Sequence, residues 1–143
     1  MFVLAQEGAE IWLGSMTGGT GPPYPDIHLM GTAGTPIHTW TAANYAALEL
    51  PLANGYAPIS LATPGSDWTQ AAIPAGYQYT SIVLSWTFTA ALTVYGWYAL
   101  FHNISIAWGG EEFVPVFGFP SGGGLFTWQL PLQLISCPGV SAC

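Results

Sequence analysis

The histidines are the residues of this sequence best suited to hold a metal ion, and two of them lie close to an aspartate. On an extended strand, Asp26 and His28 would point to the same face, because side-chain direction repeats every two residues. They would offer two ligands, with His38 nearby in the chain. Zinc sites need three or four ligands, and the others would have to come from distant segments with no cysteine close by. The sequence therefore favours ordinary structural roles for His28, His38 and His102. We predict no metal site and no cofactor.

Glu111 and Glu112 are the only adjacent acidic residues. Paired carboxylates can act as acid and base in glycoside hydrolysis, but neighbours on a strand point to opposite faces, which separates the two groups. The sequence favours a solvated turn here, with oxygen ligands for calcium as the alternative. It has no Gly-x-Ser-x-Gly motif, and the glycine run Gly122–Gly124 lacks the lysine of a phosphate-binding loop. We therefore predict no enzymatic activity and no catalytic residue.

Cys137 and Cys143 are the only two cysteines. Pro138 and Gly139 between them could turn the chain into a small disulfide loop. A bridge between subunits and a tail with two free thiols fit the same spacing. Two cysteines do not identify the redox compartment.

The composition combines many apolar side chains with very little charge. Of 143 residues, 51% are hydrophobic and 15% aromatic, whereas only 5% are charged, against about 25% in an ordinary soluble domain. There is no lysine or arginine, and seven carboxylates give a net charge of −7. Nucleic acids and anionic membrane surfaces attract basic proteins, so the composition argues against both as partners. The length fits one domain over residues 1–143.

Residues 77–108 carry no charged side chain and form the centre of the predicted fold. From Ile82 to Phe88, large apolar residues at even positions alternate with smaller residues at odd positions, which is typical of a strand with one buried face. Leu92–Phe101 is apolar at both parities, as in a strand covered on both sides or buried in an interface. Ser81–Phe101 is long enough to cross a bilayer. The alternation and the five serine and threonine residues favour strands instead.

The rest of the chain shows short apolar segments separated by glycine, proline and asparagine. We predict a short amphipathic helix within residues 2–14 and a second helix that begins at Thr41 or Asn44 and runs to Leu48. A turn is predicted at Asn54-Gly55 and a loop over 63–76. The predicted strands are Asp26–Met30, 56–62, 104–108, 113–119 and 125–135. Seven or eight short strands are typical of an antiparallel β-sandwich or jelly roll. The predicted fold is mainly β, with an N-terminal helix and loop over 1–25 and a C-terminal tail over 136–143.

A series of segments covers most of the chain in a fixed order: EGAEIWL, DIHLM, ANGYAPISL, SDWT, TFTAALTVYGWYAL, IAWGGEEF and LPLQLIS. Together these segments resemble a group of small proteins from tailed bacteriophages. The resemblance implies a structural role in the virion, as a cement or decoration protein on the outer capsid surface with the capsid protein as partner. Members of this group carry ordinary lysine and arginine, which this sequence lacks, so contacts made through cations are not carried over.

Apolar surface beyond what one domain can hide is expected to be buried between subunits, so we predict a homo-oligomer. The predicted interface residues are Leu92, Val94, Tyr95, Trp97, Tyr98, Phe113, Phe117 and Phe119. An alternative hypothesis is a carbohydrate-binding or adhesin-type β module that stacks sugars on exposed aromatic rings. Trp40 and Trp68, which lie among loop residues, are its candidate stacking residues.

Overall fold

The computed structural model describes residues 3–6, 25–61, 67–73, 76–102 and 104–135. Its strands and helix are β1 Val3–Leu4, β2 Pro25–Met30, α1 Ala42–Ala46, β3 Ile59–Ser60, β4 Trp68–Ile73, β5 Gly76–Ser81, β6 Leu84–Phe88, β7 Leu92–Phe101, β8 Ala107–Phe119, β9 Gly124–Trp128 and β10 Pro131–Ile135. The strand pairings are antiparallel. The prediction of a mainly β fold with antiparallel sheets is therefore confirmed.

Strand β7 lies at the centre of the largest sheet, whose strand order is β1-β8-β7-β2-β3. Its bounds are those predicted from its apolar residues. Val94 and Trp97 are buried in one core on the inner face of the sheet. Tyr98 is buried on the outer face in a second core, with Tyr45 of α1. The double-sided apolar pattern of β7 therefore reflects cover from two layers of the same chain.

The two-stranded sheet of β6 and β9 covers the inner face of the large sheet. Leu84, Trp86 and Phe88 are buried while the residues between them are exposed, which confirms the period of two predicted for this strand. The rings of Trp97 and Trp128 lie 4.9 Å apart and join the two layers. This sheet-on-sheet packing encloses the larger core.

The third sheet has the strand order β10-β5-β4. The chain passes between this sheet and the β6–β9 sheet twice, from β5 to β6 and from β9 to β10. The buried Ser81 marks the crossing. Its Oγ accepts a hydrogen bond from the Leu130 N–H at 2.9 Å, and its own N–H donates to the Leu130 carbonyl at 3.0 Å. The predicted single strand over 125–135 is therefore wrong, since β9 ends at Trp128 and β10 starts at Pro131 in another sheet. Ile82 lies in the crossing and is 46% exposed, so its predicted place in the core is also wrong.

Two further sequence predictions need correction. Trp68–Ile73, predicted as loop, forms β4, because it pairs with β5 over its whole length. Val3 and Leu4, predicted as part of a helix, form β1 and pair with Gly110 and Gly109. Residues 2 and 7–14 of that predicted helix lie outside the described residues.

The predicted helix near Thr41 is confirmed as α1, although it is only five residues long. Its first turn is stabilised by the Thr41 N–H, which donates to Oδ1 of Asn44 at 2.9 Å. The turn at Asn54-Gly55 is also confirmed, with positive φ angles of 54° and 85° at its two residues. Among the described residues, no helix has the length and apolar character needed to cross a membrane.

Candidate functional site

Asp26 and His28 lie on the same strand, as predicted, but their side chains bind different partners. Nδ1 of His28 lies 2.8 Å from Oε1 of Glu49, and Nδ1 of His102 lies 2.8 Å from Oδ1 of Asp26. Because a carboxylate only accepts hydrogen bonds, each Nδ1 is the donor. Within the residues that the structure describes, no group of three potential metal-ligating histidine, cysteine or acidic side chains comes together. The histidines of β2 and of the end of β7 therefore join distant segments of the fold.

The Glu49 carboxylate is the centre of a small hydrogen-bonded group at the end of β2. Its Oε1 accepts from His28 and also from the hydroxyl of Tyr56, at 3.0 Å. The Tyr56 hydroxyl in turn accepts from the Leu29 N–H at 3.0 Å. Strand β3 pairs only with Asp26 and Ile27, so the tyrosine satisfies a backbone donor beyond the end of that strand. Sequence spacing gave no signal for this group, because Glu49 and Tyr56 come from the segment that follows α1.

His28, Tyr98 and Tyr45 form a stack of rings on the outer face of the large sheet. The ring centroids are 4.7 Å apart between His28 and Tyr98 and 5.2 Å apart between Tyr98 and Tyr45. Gly110 makes room for the stack, since a Cβ there would lie 2.8 Å from the Tyr45 ring and 2.7 Å from the Trp97 carbonyl oxygen. The stack fixes α1 on the sheet and gives these residues a structural role.

Burial raises the pKa of both Tyr56 and Tyr98 well above its ordinary value. The hydrogen bond from Leu29 partly opposes this for Tyr56, while the negative charge of Glu49 raises the pKa of each tyrosine further. The Tyr98 hydroxyl is buried and has no hydrogen bond of good geometry among the described residues, so we attribute the effect of Glu49 on it to charge. Both hydroxyls therefore hold their protons to a higher pH in the folded protein than in the unfolded chain.

We expect the free energy of unfolding to fall as the pH rises above about 10, where tyrosines ionise in the unfolded chain. The folded state holds two protons that the unfolded state then loses, so this contribution is fully present below pH 10 and is lost above it. Urea denaturation at increasing pH measures the slope, which should be about 1.4 kcal/mol per pH unit for each tyrosine. Tyr98→Phe should reduce the slope, whereas Tyr95→Phe, at a less buried position of β7, is the matched control. Equal slopes for wild type and Tyr98→Phe would contradict the assignment.

Ser60, Asp26 and His102 are the residue types of a nucleophilic triad, but they are connected in a different order. The Ser60 hydroxyl and Nδ1 of His102 both donate to Oδ1 of Asp26. In a catalytic triad the histidine lies between the serine and the acid and accepts the serine proton. Here the acid lies between them, so the hydroxyl proton is directed to Asp26. The group ties β3 and the end of β7 to β2.

Glu111 and Glu112 lie inside β8, opposite Trp97 and Gly96, so the predicted solvated turn is wrong. The segment continues the strand because β7 supplies a pairing partner. As neighbours on a strand, the two carboxyl groups point to opposite faces. Oε2 of Glu112 accepts a hydrogen bond from the Thr35 hydroxyl at 3.1 Å.

His38 is exposed in the loop before α1, and its carbonyl accepts from the Gln6 N–H at 2.8 Å.

Three of the predicted interface residues are buried within the chain itself. Val94, Trp97 and Tyr98 have no exposed surface. Their assignment to a contact between subunits is wrong, because the β6–β9 sheet and the α1 layer already cover both faces of β7. Leu92 and Tyr95 are partly buried and pack against the inner and the outer core respectively.

The predicted interface residues on β8 lie at the rim of the inner core. Phe113, Phe117 and Phe119 all pack against Phe126, with ring centroids 6.0, 5.2 and 6.0 Å from it. Phe113 and Phe119 are partly buried, whereas Phe117 is 41% exposed. Of the eight predicted interface residues, Phe117 is therefore the most accessible to another molecule.

Two valines on the same strand, outside the predicted interface residues, are also exposed. Val114 is 91% exposed and Val116 is 44% exposed. They lie in a segment of four residues that bulges opposite Tyr95, where the regular alternation of faces along β8 ends, so a period of two does not predict their exposure. We refer to Val114, Val116 and Phe117 together as the β8 apolar surface.

The two tryptophans of the carbohydrate hypothesis are only partly exposed. Trp40 packs against Tyr45 with centroids 5.2 Å apart, and Trp68 packs against Trp108 with centroids 6.5 Å apart. Each ring therefore gives part of its surface to the protein interior. Cys137 and Cys143 lie outside the described residues, so the possible disulfide loop, the bridge between subunits and the two free thiols all stay open alternatives.

Among the described residues, the hydrogen-bonded groups around Asp26 and Glu49 join separate strands, and the β8 apolar surface is exposed. Comparison of the chain with protein-family models, with curated proteins and with solved structures gives no match.

Proposed function

We propose that the protein is a non-enzymatic structural protein of a virus particle, a cement or decoration protein that holds neighbouring capsid subunits at the outer surface. The observation that carries this proposal is the β8 apolar surface, three apolar side chains exposed within four consecutive residues of one strand. Burial of such side chains by a neighbouring subunit gains roughly 25 cal/mol for each Å² removed from water. A subunit contact is the function that this surface supports best.

The charge of the chain supports the outer position. A net charge of −7 with no lysine or arginine repels the phosphates of a packaged genome. The resemblance of the chain to small phage structural proteins supports the choice of a capsid as the assembly.

The proposal is tested with capsids of the parent virus assembled without this protein. Added wild-type protein should cosediment with them to saturation and should raise the temperature at which they release their contents. Val114→Asp should abolish most of the binding, since a carboxylate would then be buried in an apolar contact. Val83→Asp is the matched control, because Val83 is another exposed valine, at 56%, in the crossing between β5 and β6. Wild-type protein that stays in the supernatant would refute the proposal.

A further inference from the structure

We infer that the β8 apolar surface together with Glu112 docks a segment of a different protein that carries lysine or arginine beside apolar side chains. The inference rests on the proposed function and deepens it, because it names the chemistry of the partner. Three features of the structure lead to it: the attachment of the surface to β7 and Phe126, its unpaired edge and its charge.

The surface is held in place by the pairing of β8 with β7 immediately before and after it. Glu112 pairs with Gly96 and Phe117 pairs with Val94, so the four residues between them bulge opposite the single residue Tyr95. Phe113 and Phe117 anchor the bulge on Phe126. A surface that is already ordered loses little conformational entropy when a partner covers it, which favours tight binding.

One edge of β8 is open along this segment. Strand β1 pairs only with Gly109 and Gly110, and within the described residues no other strand pairs on that side. Pro115, in the middle of the bulge, has no N–H to offer. Contact there must therefore rely on side chains more than on a continuous backbone ladder, which places the specificity in the valines and in the adjacent carboxylate.

The charge next to the apolar surface identifies the partner. Glu112 lies two residues before Val114 and accepts a hydrogen bond from a neutral donor, the hydroxyl of Thr35. No lysine or arginine exists anywhere in the chain to neutralise it. A second copy would bring seven more carboxylates and again no lysine or arginine, so the matching cation has to come from a different protein. Only one residue separates Glu112 from Val114, so that cation should lie within a few residues of the apolar side chains of the partner.

A synthetic peptide of about seven residues, Lys-Thr-Val-Thr-Val-Thr-Lys, presents two valines and two flanking lysines on one face when extended and reads alike in either direction. Its binding to the full protein is measured by fluorescence anisotropy at low ionic strength, beside versions with glutamine or glutamate in place of lysine. The lysine peptide should bind at least about fivefold more tightly than the glutamine peptide, and the glutamate peptide should bind most weakly.

Variants separate the docking surface from general attraction to an acidic protein. Glu112→Gln and Val114→Ser should each weaken binding of the lysine peptide by about threefold to fivefold, since an exposed charge pair and a small apolar contact each contribute at about this level. Asp67→Asn removes one carboxylate just before β4 and should change binding by less than about twofold. Absence of binding, equal binding of the lysine and glutamine peptides, or equal effects of Glu112→Gln and Asp67→Asn would each overturn the inference.

Sedimentation velocity tests the other occupant, a second copy of the chain. A dimer that dissociates on Val114→Ser would overturn the inference in favour of self-association. The capsid assay separates failure of the inference from failure of the proposed function. Peptide binding with the expected variant effects but no capsid binding would reject the capsid role alone. Capsid binding that is unchanged by Glu112→Gln would reject the partner chemistry alone.

Discussion

Trp97→Ala is expected to lower the free energy of unfolding by about 3–5 kcal/mol, the usual cost of removing a buried aromatic side chain. Trp97 is fully buried at the centre of β7, and its ring packs 4.9 Å from that of Trp128 across the two layers. The truncation leaves a cavity between the sheets that rigid strands on both sides cannot close. Since a domain of this kind is stable by roughly 5–15 kcal/mol, the substitution should remove a large share of its stability.

Urea denaturation followed by far-ultraviolet circular dichroism measures this loss. Val114→Ala is the control, because Val114 is 91% exposed and its truncation should change the free energy of unfolding by less than about 0.5 kcal/mol. A loss below about 1.5 kcal/mol for Trp97→Ala would mean that the two layers are not packed as described.

Gly96→Ala is expected to destabilise the protein by about 2–3 kcal/mol, although it adds only one methyl group. A Cβ at this position would lie 2.3 Å from the Glu111 carbonyl oxygen and 3.1 Å from Sδ of Met30. The carbonyl belongs to the backbone of β8, so the pairing of β7 with β8 has to shift next to the bulge. The substitution should therefore disturb both the centre of the large sheet and the position of the β8 apolar surface.

The matched control is Gly118→Ala, which adds the same methyl group to the neighbouring strand. Nothing lies within 4 Å of a Cβ built at Gly118. This variant should be neutral or slightly stabilising, since alanine loses less conformational entropy than glycine on folding. Equal unfolding midpoints for the two variants in urea would contradict the close approach of β7 and β8 at Gly96.

The hydrogen-bonded group around Glu49 was predictable from the sequence only in part. The position of His28 on a strand and its orientation beside Asp26 were predictable from the period of two. The contact of Glu49 with His28 and Tyr56 was not, because it depends on where the chain returns after α1. The same holds for His102, which meets Asp26 through the register of β2 on β7.

The sequence by itself determined the fold class, the bounds of β7, the buried face of β6 and the absence of lysine and arginine. These follow from periodicity and composition, which are local or additive properties of the chain. Tertiary structure alone decided that the chain changes sheets at Ser81 and Leu130. It also decided that Val94, Trp97 and Tyr98 are buried within the chain. Val114 and Val116 are exposed for the same kind of reason. Those outcomes depend on which distant strands become neighbours, because a side chain that faces a core in one pairing faces water in another.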